Sequence, residues 1–307
     1  MKVLITGATG FVGARVVEAL AQSPAVEIIG LARRAPPANL ARPGVRWLQA
    51  DVLDESAMRA VLRDVRPEAL LHAAWYVEHG KFWMAPENEP WAEASLALAA
   101  HFFEAGGRRV VGLGTCAEYA VGEPDAALPW PEDRAIAPTT PYGLAKARVA
   151  RGLLDLAARG STREVAWARL FHLFGPGEDP ARLVPSVLTA LQTGQPARCG
   201  PGELVRDFAS TWFAGRALAA LLSSGVTGAV NVASGLPVTI ATLVGTIASL
   251  LGRPDLLRVG ALPGRAGEVQ CMVANTERLQ HEVGFNEPFG LAAELRRLVA
   301  TMKQSKD

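Results

Sequence analysis

The sequence predicts an α/β protein, a doubly wound parallel sheet followed by a smaller mixed α/β lobe. Three observations predict it. Short apolar runs alternate with stretches of helical spacing as far as residue 172, a glycine-rich turn follows the first run, and Pro and Gly crowd the chain only beyond that point. Strands separated by helices imply right-handed crossovers and a parallel sheet.

The first run, Lys2-Val-Leu-Ile-Thr6, ends in glycines and reads as a buried strand. Val12, Val16, Val17 and Leu20 then recur at helical spacing across 11–22. Further strands are expected near 26–32, 45–50, 68–73, 108–114 and 165–171, with helices at about 55–64, 92–105 and 142–158. Past residue 172, helices at 181–193, 211–223 and 239–251 alternate with Pro- and Gly-rich stretches at 175–180, 194–202 and 260–267. Residues 1–172 are therefore expected to form the sheet domain and 173–307 the second lobe, with the chain free to cross between them. Ligands of open α/β sheets bind at the carboxyl ends of the strands, so a lobe over that edge makes a cleft.

Half of the 307 residues are apolar and a fifth are charged, which suits one soluble globular chain. The net charge of +1 supplies neither a basic field for nucleic acid nor a polybasic membrane patch. Cys116, Cys199 and Cys271 are far apart and odd in number, which fits a reducing cytoplasm better than a disulfide framework. The five histidines (72, 79, 101, 172 and 281) form no HxxxH or HExxH pair, so no metal is expected. A strand at residue 2 leaves no room for a signal peptide, and no apolar run approaches a membrane span. The expectation is a soluble cytoplasmic protein.

Tyr142 and Lys146 stand four residues apart in Thr140-Pro-Tyr-Gly-Leu-Ala-Lys146, one helical turn on the same face. A lysine beside a phenol favours the phenolate and can pull it below its free pKa of roughly 10. The chain uses five lysines against 26 arginines, so lysine at 146 stands out. Arginine would relay protons poorly, being always charged and wider. Taken alone, the spacing is also that of a surface pair on an ordinary helix.

Thr6-Gly7-Ala8-Thr9-Gly10-Phe11-Val12-Gly13 lies between the first strand and the first helix, where a phosphate-binding turn must be. Glycine allows the tight turn and lets backbone approach a pyrophosphate, which the helix N-terminus stabilises. The alternative is a turn needed only for close helix–sheet packing. The second strand ends in Gly30-Leu-Ala-Arg33-Arg34, with no carboxylate for a ribose 2′-hydroxyl. Two guanidinium groups match a 2′-phosphate, so NADP(H) is the expected cofactor; the alternative is a solvated basic turn. Asp51, followed by Val52, is placed to meet the adenine edge.

These motifs, taken with His72-Ala73-Ala74, Thr115 four residues before Tyr119, Arg169-Leu-Phe-His-Leu-Phe-Gly-Pro-Gly177, Arg206-Asp207-Phe208 and Arg265, resemble the extended short-chain dehydrogenase/reductase family. The resemblance runs nearly end to end and implies a Rossmann-type sheet domain of the NAD(P)-dependent epimerase/dehydratase type. It implies hydride transfer at a sugar carbon of a nucleotide-diphosphate sugar. Tyr142 would exchange the proton, Thr115 would hydrogen-bond the same oxygen, with a strand-end hydroxyl bonding local backbone as the alternative, and Lys146 would bind the nicotinamide ribose and hold down the phenol's pKa. The glycine turn, Asp51-Val52 and Ala73-Ala74 would line the dinucleotide. Arg206 and Arg265 look like the pyrophosphate clamps, with an ordinary surface role as the alternative, and Leu183 and Val184 fall where the family packs the base.

Departures from the family pattern narrow the chemistry. Dehydratases carry an Asp-Glu pair after the Ser/Thr, whereas Cys116-Ala117 follow Thr115, so dehydration is not expected. The relay asparagine is not obvious: Trp91 or Ser95 occupies its neighbourhood and Asn88 lies upstream. His172 stands where many members have asparagine, as a substrate contact or as a histidine near the core. The segments 74–82 and 114–119, with Cys116, resemble a narrower branch that includes 4-ketoreductases of nucleotide-linked 6-deoxysugars. Trp75, Tyr76 and His79 would then reach the sugar, or else pack as a hydrophobic lid. The resemblance implies NADPH-dependent reduction of a C4 ketone; the alternatives are a C4 epimerase with retained cofactor and a non-catalytic dinucleotide sensor. It also implies a homodimer through helices near 92–105 and 142–158.

Overall fold

The computed structural model describes residues 1–40, 42–121, 129–264 and 267–304. Strands β1 (Lys2–Thr6), β2 (Glu27–Ala32), β3 (Val45–Gln49), β4 (Ala69–His72), β5 (Arg109–Thr115) and β6 (Glu164–Leu170) lie where the short apolar runs place them. Between them run α1 (Gly13–Leu20), α2 (Glu55–Val65), α3 (Asn88–Glu104) and α4 (Pro141–Ala158). The rest of the chain adds β7 (His172–Phe174), β8 (Ala197–Arg198), β9 (Val205–Ser210), β10 (Gly228–Val232), β11 (Pro237–Thr239), β12 (Leu257–Arg258) and β13 (Cys271–Met272). Its helices are α5 (Leu183–Gln192), α6 (Thr211–Ser223), α7 (Ile240–Leu250) and α8 (Leu291–Gln304).

Seven parallel strands make the main sheet, in the order β10-β6-β5-β4-β1-β2-β3. A smaller mixed sheet runs β11-β9-β13 with β7 also on β9, and β8 pairs with β12. Alternation along each strand feeds both faces of the main sheet, as a doubly wound fold requires. Val3 and Ile5 of β1 join α1 and α6 on one side, while Leu4 joins α2, α3 and α4 on the other. Gly215 of α6 lies on the α1 backbone, where a Cβ would come within 2.7 Å of Arg15 carbonyl atoms. The second lobe has its own core, formed mainly by α5, α7, α8 and β9.

Helix α1 is shorter than its apolar spacing suggests, because residues up to Val12 belong to the turn that precedes it. Helix α3 starts earlier than expected, at Asn88, with Pro90 tolerated in a first turn that lacks intrahelical N–H partners. Strand β10 and helix α6 come from beyond residue 172 yet pack on the main sheet. Neither β10 nor α8 is foreshadowed by the alternation. The first is a five-residue run interrupted by Asn231, and the second is an amphipathic helix at the end of the described chain.

Candidate active site

Strand β1 lies between β2 and β4, the point where strand order reverses, and the glycine turn sits at its carboxyl end. Gly7 has φ of +64°, and a Cβ there would lie 2.7 Å from the Ala74 amide nitrogen. Gly10 N donates to Gly7 O at 2.9 Å and closes the turn. A Cβ on Gly13 would run into Gly7 O, so this glycine lets α1 begin against the turn. Gly10 is exposed, and Thr9, Phe11 and Val12 are half-buried around it. A backbone cradle that side chains would fill, opening on a helix N-terminus, fits a dinucleotide diphosphate.

A chain of hydrogen bonds fixes the facing wall. Ala74 N donates to Thr6 Oγ1 at 3.3 Å, Thr6 Oγ1 meets His72 Nδ1 at 2.8 Å, and His72 Nε2 meets Ser95 Oγ at 2.8 Å. Ser95 Oγ then donates to Trp91 O at 2.6 Å. A carbonyl can only accept, so the direction is set: Ser95 accepts from His72 Nε2–H and Thr6 donates to Nδ1. Burial, and then the nearby Lys146 charge, push His72 down to about 3, so its ring stays neutral. Ala73 and Ala74 are thereby held against the glycine turn. Ser95 is consumed by this chain, and Asn88 is bonded to Phe82 O, Ala85 O and Trp75.

Arg33 and Arg34 follow β2 and are exposed; Gln49 Nε2 donates to Arg33 O at 3.1 Å and holds the turn. Asp51 Oδ1 accepts from Leu53 N at 3.0 Å, and Val52 is buried beside it.

Thr140 caps α4 by accepting from Gly143 N at 3.2 Å, and Pro141 takes the first helical position. This sets Tyr142 and Lys146 in the opening turns, against the end of β5. Thr115 Oγ1 accepts from Ala117 N at 3.2 Å and lies near enough to the Tyr142 phenol to influence its ionisation. Lys146 is buried and its Nζ donates to Leu113 O at 2.8 Å. The three side chains read as catalytic therefore meet at one place.

The electrostatics differ from the expected pairing. Burial, and then the charge of Glu118, hold the Tyr142 phenol above its ordinary pKa, with the nearby Thr115 hydroxyl opposing. Lys146 is not among the groups that lower it, and its ammonium lies against Leu113 O and the Trp75 ring, whose centroid is 3.7 Å away. Lys146 itself is held down to about 7 by burial, with Glu118 opposing. At neutral pH Tyr142 is thus a protonated phenol able to donate.

Glu118 anchors the floor and is completely buried. Its carboxyl accepts from Thr115 N at 2.8 Å, Trp167 Nε1 at 3.0 Å and Arg169 Nε at 3.0 Å. Donors alone surround it, as suits a carboxylate. Arg169 continues to the Tyr119 hydroxyl at 3.1 Å, and that hydroxyl donates to Asn231 Oδ1 at 2.6 Å. Glycine at 114 leaves room, since a Cβ there would lie 2.5 Å from Glu118 Oε1.

The residues assigned to substrate are dispersed. Trp75 lies against Lys146, Tyr142 and Trp91, whereas the Tyr76 hydroxyl donates to Glu78 Oε2 at 2.9 Å and His79 is exposed on the outer loop. Trp75 and Tyr76 are both half-buried against the core on the α2–α4 face of the sheet, and His79 is exposed apart from them. Cys116 is buried beside Thr115, its thiol pushed up to about 12 chiefly by burial. His172 packs on Phe208, and burial followed by the charges of Arg206 and Arg182 pushes it down to about 3. Its Nδ1 is buried without a hydrogen-bond partner among the described residues. Arg206 bonds Val205 O at 2.8 Å and pairs with Glu268 at 3.5 Å. Val184 is only 2 % exposed in the lobe core and offers a ligand little surface, while Leu183 is half-buried at its edge. Arg265 lies outside the described residues.

Four side chains at the site escape a motif reading. Phe82 and Trp83 meet Tyr142 edge-on at 4.9 and 5.4 Å, and Asn88 and Glu118 hold the groups around it. The one signal for the first three is the density of tryptophan, at 75, 83 and 91. Among the described residues no cluster of His, Cys, Asp and Glu is placed to hold a metal ion.

Comparison with known proteins agrees with this geometry. The chain is 28 % identical over 283 residues to a UDP-glucose 4-epimerase of Rhizobium leguminosarum bv. trifolii, covering 83 % of this chain and 84 % of that protein. It is 26 % identical over 310 residues to a dTDP-4-dehydro-6-deoxy-D-allose reductase of Streptomyces bikiniensis, covering 92 % and 90 %. DesIV, a dTDP-glucose 4,6-dehydratase of Streptomyces venezuelae solved with NAD and TYD bound, superposes with a TM-score of 0.85 at 25 % identity, covering 100 % and 98 % of the two chains. Residues 3–233 match the NAD dependent epimerase/dehydratase family, and the chain is a member of that enzyme family, within the extended short-chain dehydrogenase/reductases.

Proposed function

We propose that this enzyme is an NADPH-dependent 4-ketoreductase acting on a nucleotide-diphosphate 4-keto-6-deoxy sugar. The observation that carries the reading is the state of Tyr142: a phenol raised by burial, beside Thr115, with Cys116-Ala117 in place of an acid–base pair. Such a group suits protonation of a carbonyl oxygen, whereas dehydration needs the Asp-Glu pair that Cys116-Ala117 replace. The bound NADPH would supply hydride to the ketone carbon. Tyr142 Oη gives its proton to the oxygen, Thr115 donates a hydrogen bond to the same oxygen, and an alcohol results. Lys146 holds the nicotinamide ribose. Arg33 and Arg34, exposed after β2, take the 2′-phosphate. Arg206 and His172 would bind the nucleotide diphosphate sugar, together with Arg265 if it serves as the sequence motif assigns it. The reductase relative from Streptomyces supports this substrate class.

Incubation with NADPH and dTDP-4-keto-6-deoxyglucose tests the reading. Stoichiometric loss of nicotinamide absorbance is expected. Sugar interconversion with catalytic cofactor and no net consumption overturns it in favour of a C4 epimerase, the reading supported by the UDP-glucose 4-epimerase relative. The same reading places the enzyme in the cytoplasm as a homodimer through α3 and α4. These helices pack closely where Gly152 meets Leu96, and Leu144 and Leu154 are left exposed. Sedimentation at micromolar concentration checks the dimer, and a monomer at all concentrations rejects it. Among the described residues no helix is long and apolar enough to cross a membrane.

A further inference from the structure

Trp75 is built into the site from behind. Asn88, 2 % exposed, donates from Nδ2 to Phe82 O at 2.6 Å and Ala85 O at 2.9 Å. With both amide protons spent on carbonyls, Oδ1 is the atom left to accept, and it takes the Trp75 indole N–H at 2.9 Å. Trp91 flanks the indole at 6.3 Å. Held at its edge and one side, the ring presents its face to Lys146 Nζ, 3.7 Å from the centroid. The ammonium has three protons; Leu113 O takes one and the indole faces another, which leaves one for a ligand.

We propose that Trp75 is a positioning residue for Lys146, whose indole face keeps the ammonium charged and aimed, and is not a sugar contact. The physical need is plain. A buried ammonium loses its hydration, and the ring quadrupole returns part of that stabilisation without a counter-charge that would compete with the ligand. The other ionisable groups around Lys146 are His72 on β4, Glu118 after β5 and Tyr142 on α4. His72 is neutral and Tyr142 is protonated, so Glu118 is the nearby group whose charge also favours the ammonium. Glu118 bonds Thr115 N, Trp167 and Arg169, so the ammonium's own contacts are Leu113 O, the Trp75 face at 3.7 Å and, more distantly, the Trp167 ring at 5.9 Å.

The effect on catalysis rests on the proposed role of Lys146, but the contact is testable without substrate. The chain has only five lysines, so lysine labelled with 13C at Cε gives a sparse spectrum, and Lys146→Arg identifies the relevant signal by its loss. In Trp75→Leu the Lys146 titration midpoint is expected to fall by about one pH unit. In Trp75→Phe, which keeps a ring but loses the bond to Asn88, it falls by less. An unmoved midpoint in Trp75→Leu overturns the proposal, and if that variant does not fold, an unmoved midpoint in Trp75→Phe does so. Kinetics with NADPH and the keto sugar separate the roles: loss of kcat with sugar KM unchanged supports positioning, whereas a raised KM with an unmoved midpoint makes Trp75 a substrate contact. If the midpoint falls but Lys146→Met retains full turnover, the contact stands and the catalytic assignment of Lys146 fails.

Discussion

The two halves of the candidate site are made in different ways. The side proposed for the dinucleotide is a backbone surface: Gly7, Gly10 and Gly13 remove side chains so that the turn, α1 and the Ala74 amide come close together. The side proposed for proton transfer is made of side chains, with Tyr142 and Lys146 from α4 set against Glu118 from the turn after β5 and their ionisation set by desolvation. A backbone site needs shape and is written locally in the chain. A side-chain site needs a desolvated environment, which distant residues create. Damage to the first should therefore act on cofactor binding, and damage to the second on rate and pH dependence.

The largest effect expected on the side-chain half is that of Tyr142→Phe. Loss of the proton donor should lower kcat by about 10²–10⁴-fold while NADPH binding, read by nicotinamide fluorescence, is unchanged. Near-full turnover in this variant would remove Tyr142 from the mechanism. Glu118→Ala leaves Arg169 charged and buried without its partner and should cost about 3–5 kcal/mol of stability in urea unfolding. A loss below about 1 kcal/mol would show that the pair is not the anchor of the floor. On the backbone half, Arg33→Ala should weaken NADPH binding about ten- to a hundredfold and NADH binding little, because only the former carries the 2′-phosphate. Equal losses for both cofactors would remove that argument.

The smallest and most discriminating test is pH. The Lys146 pKa is lowered, so its ammonium is complete below about 7 and is lost as pH rises through that value. Turnover that needs the ammonium should fall about tenfold per pH unit on the alkaline side, whereas the phenol, raised by burial, remains protonated there. A rate flat from pH 7 to 9 would show that Lys146 is not titrating where its burial places it.

Much of the backbone half was legible in the chain. The turn at 6–13, the six first-half strands and the Tyr142/Lys146 spacing follow from local periodicity and glycine placement. The direction of the phenol shift was not legible. A spacing of four residues reports that two side chains share a face, and it does not report that Lys146 turns to Trp75 and Leu113 O. Trp75, Tyr76 and His79 likewise read as one aromatic segment, and only the fold leaves His79 exposed while Trp75 and Tyr76 pack on the core. Glu118 carries no local signal of its role, because Arg169 and Trp167, some fifty residues on, fold against it.

By itself the sequence determined the fold class, the glycine turn after β1 and the placement of Tyr142 and Lys146 one turn apart on α4, because each depends on residues within a few positions of one another. Tertiary structure decided the ionisation of Tyr142 and Lys146, the partners of Trp75 and Glu118, and the return of β10 and α6 to the main sheet. Those depend on desolvation and on contacts between residues tens to more than a hundred positions apart, which no local pattern encodes.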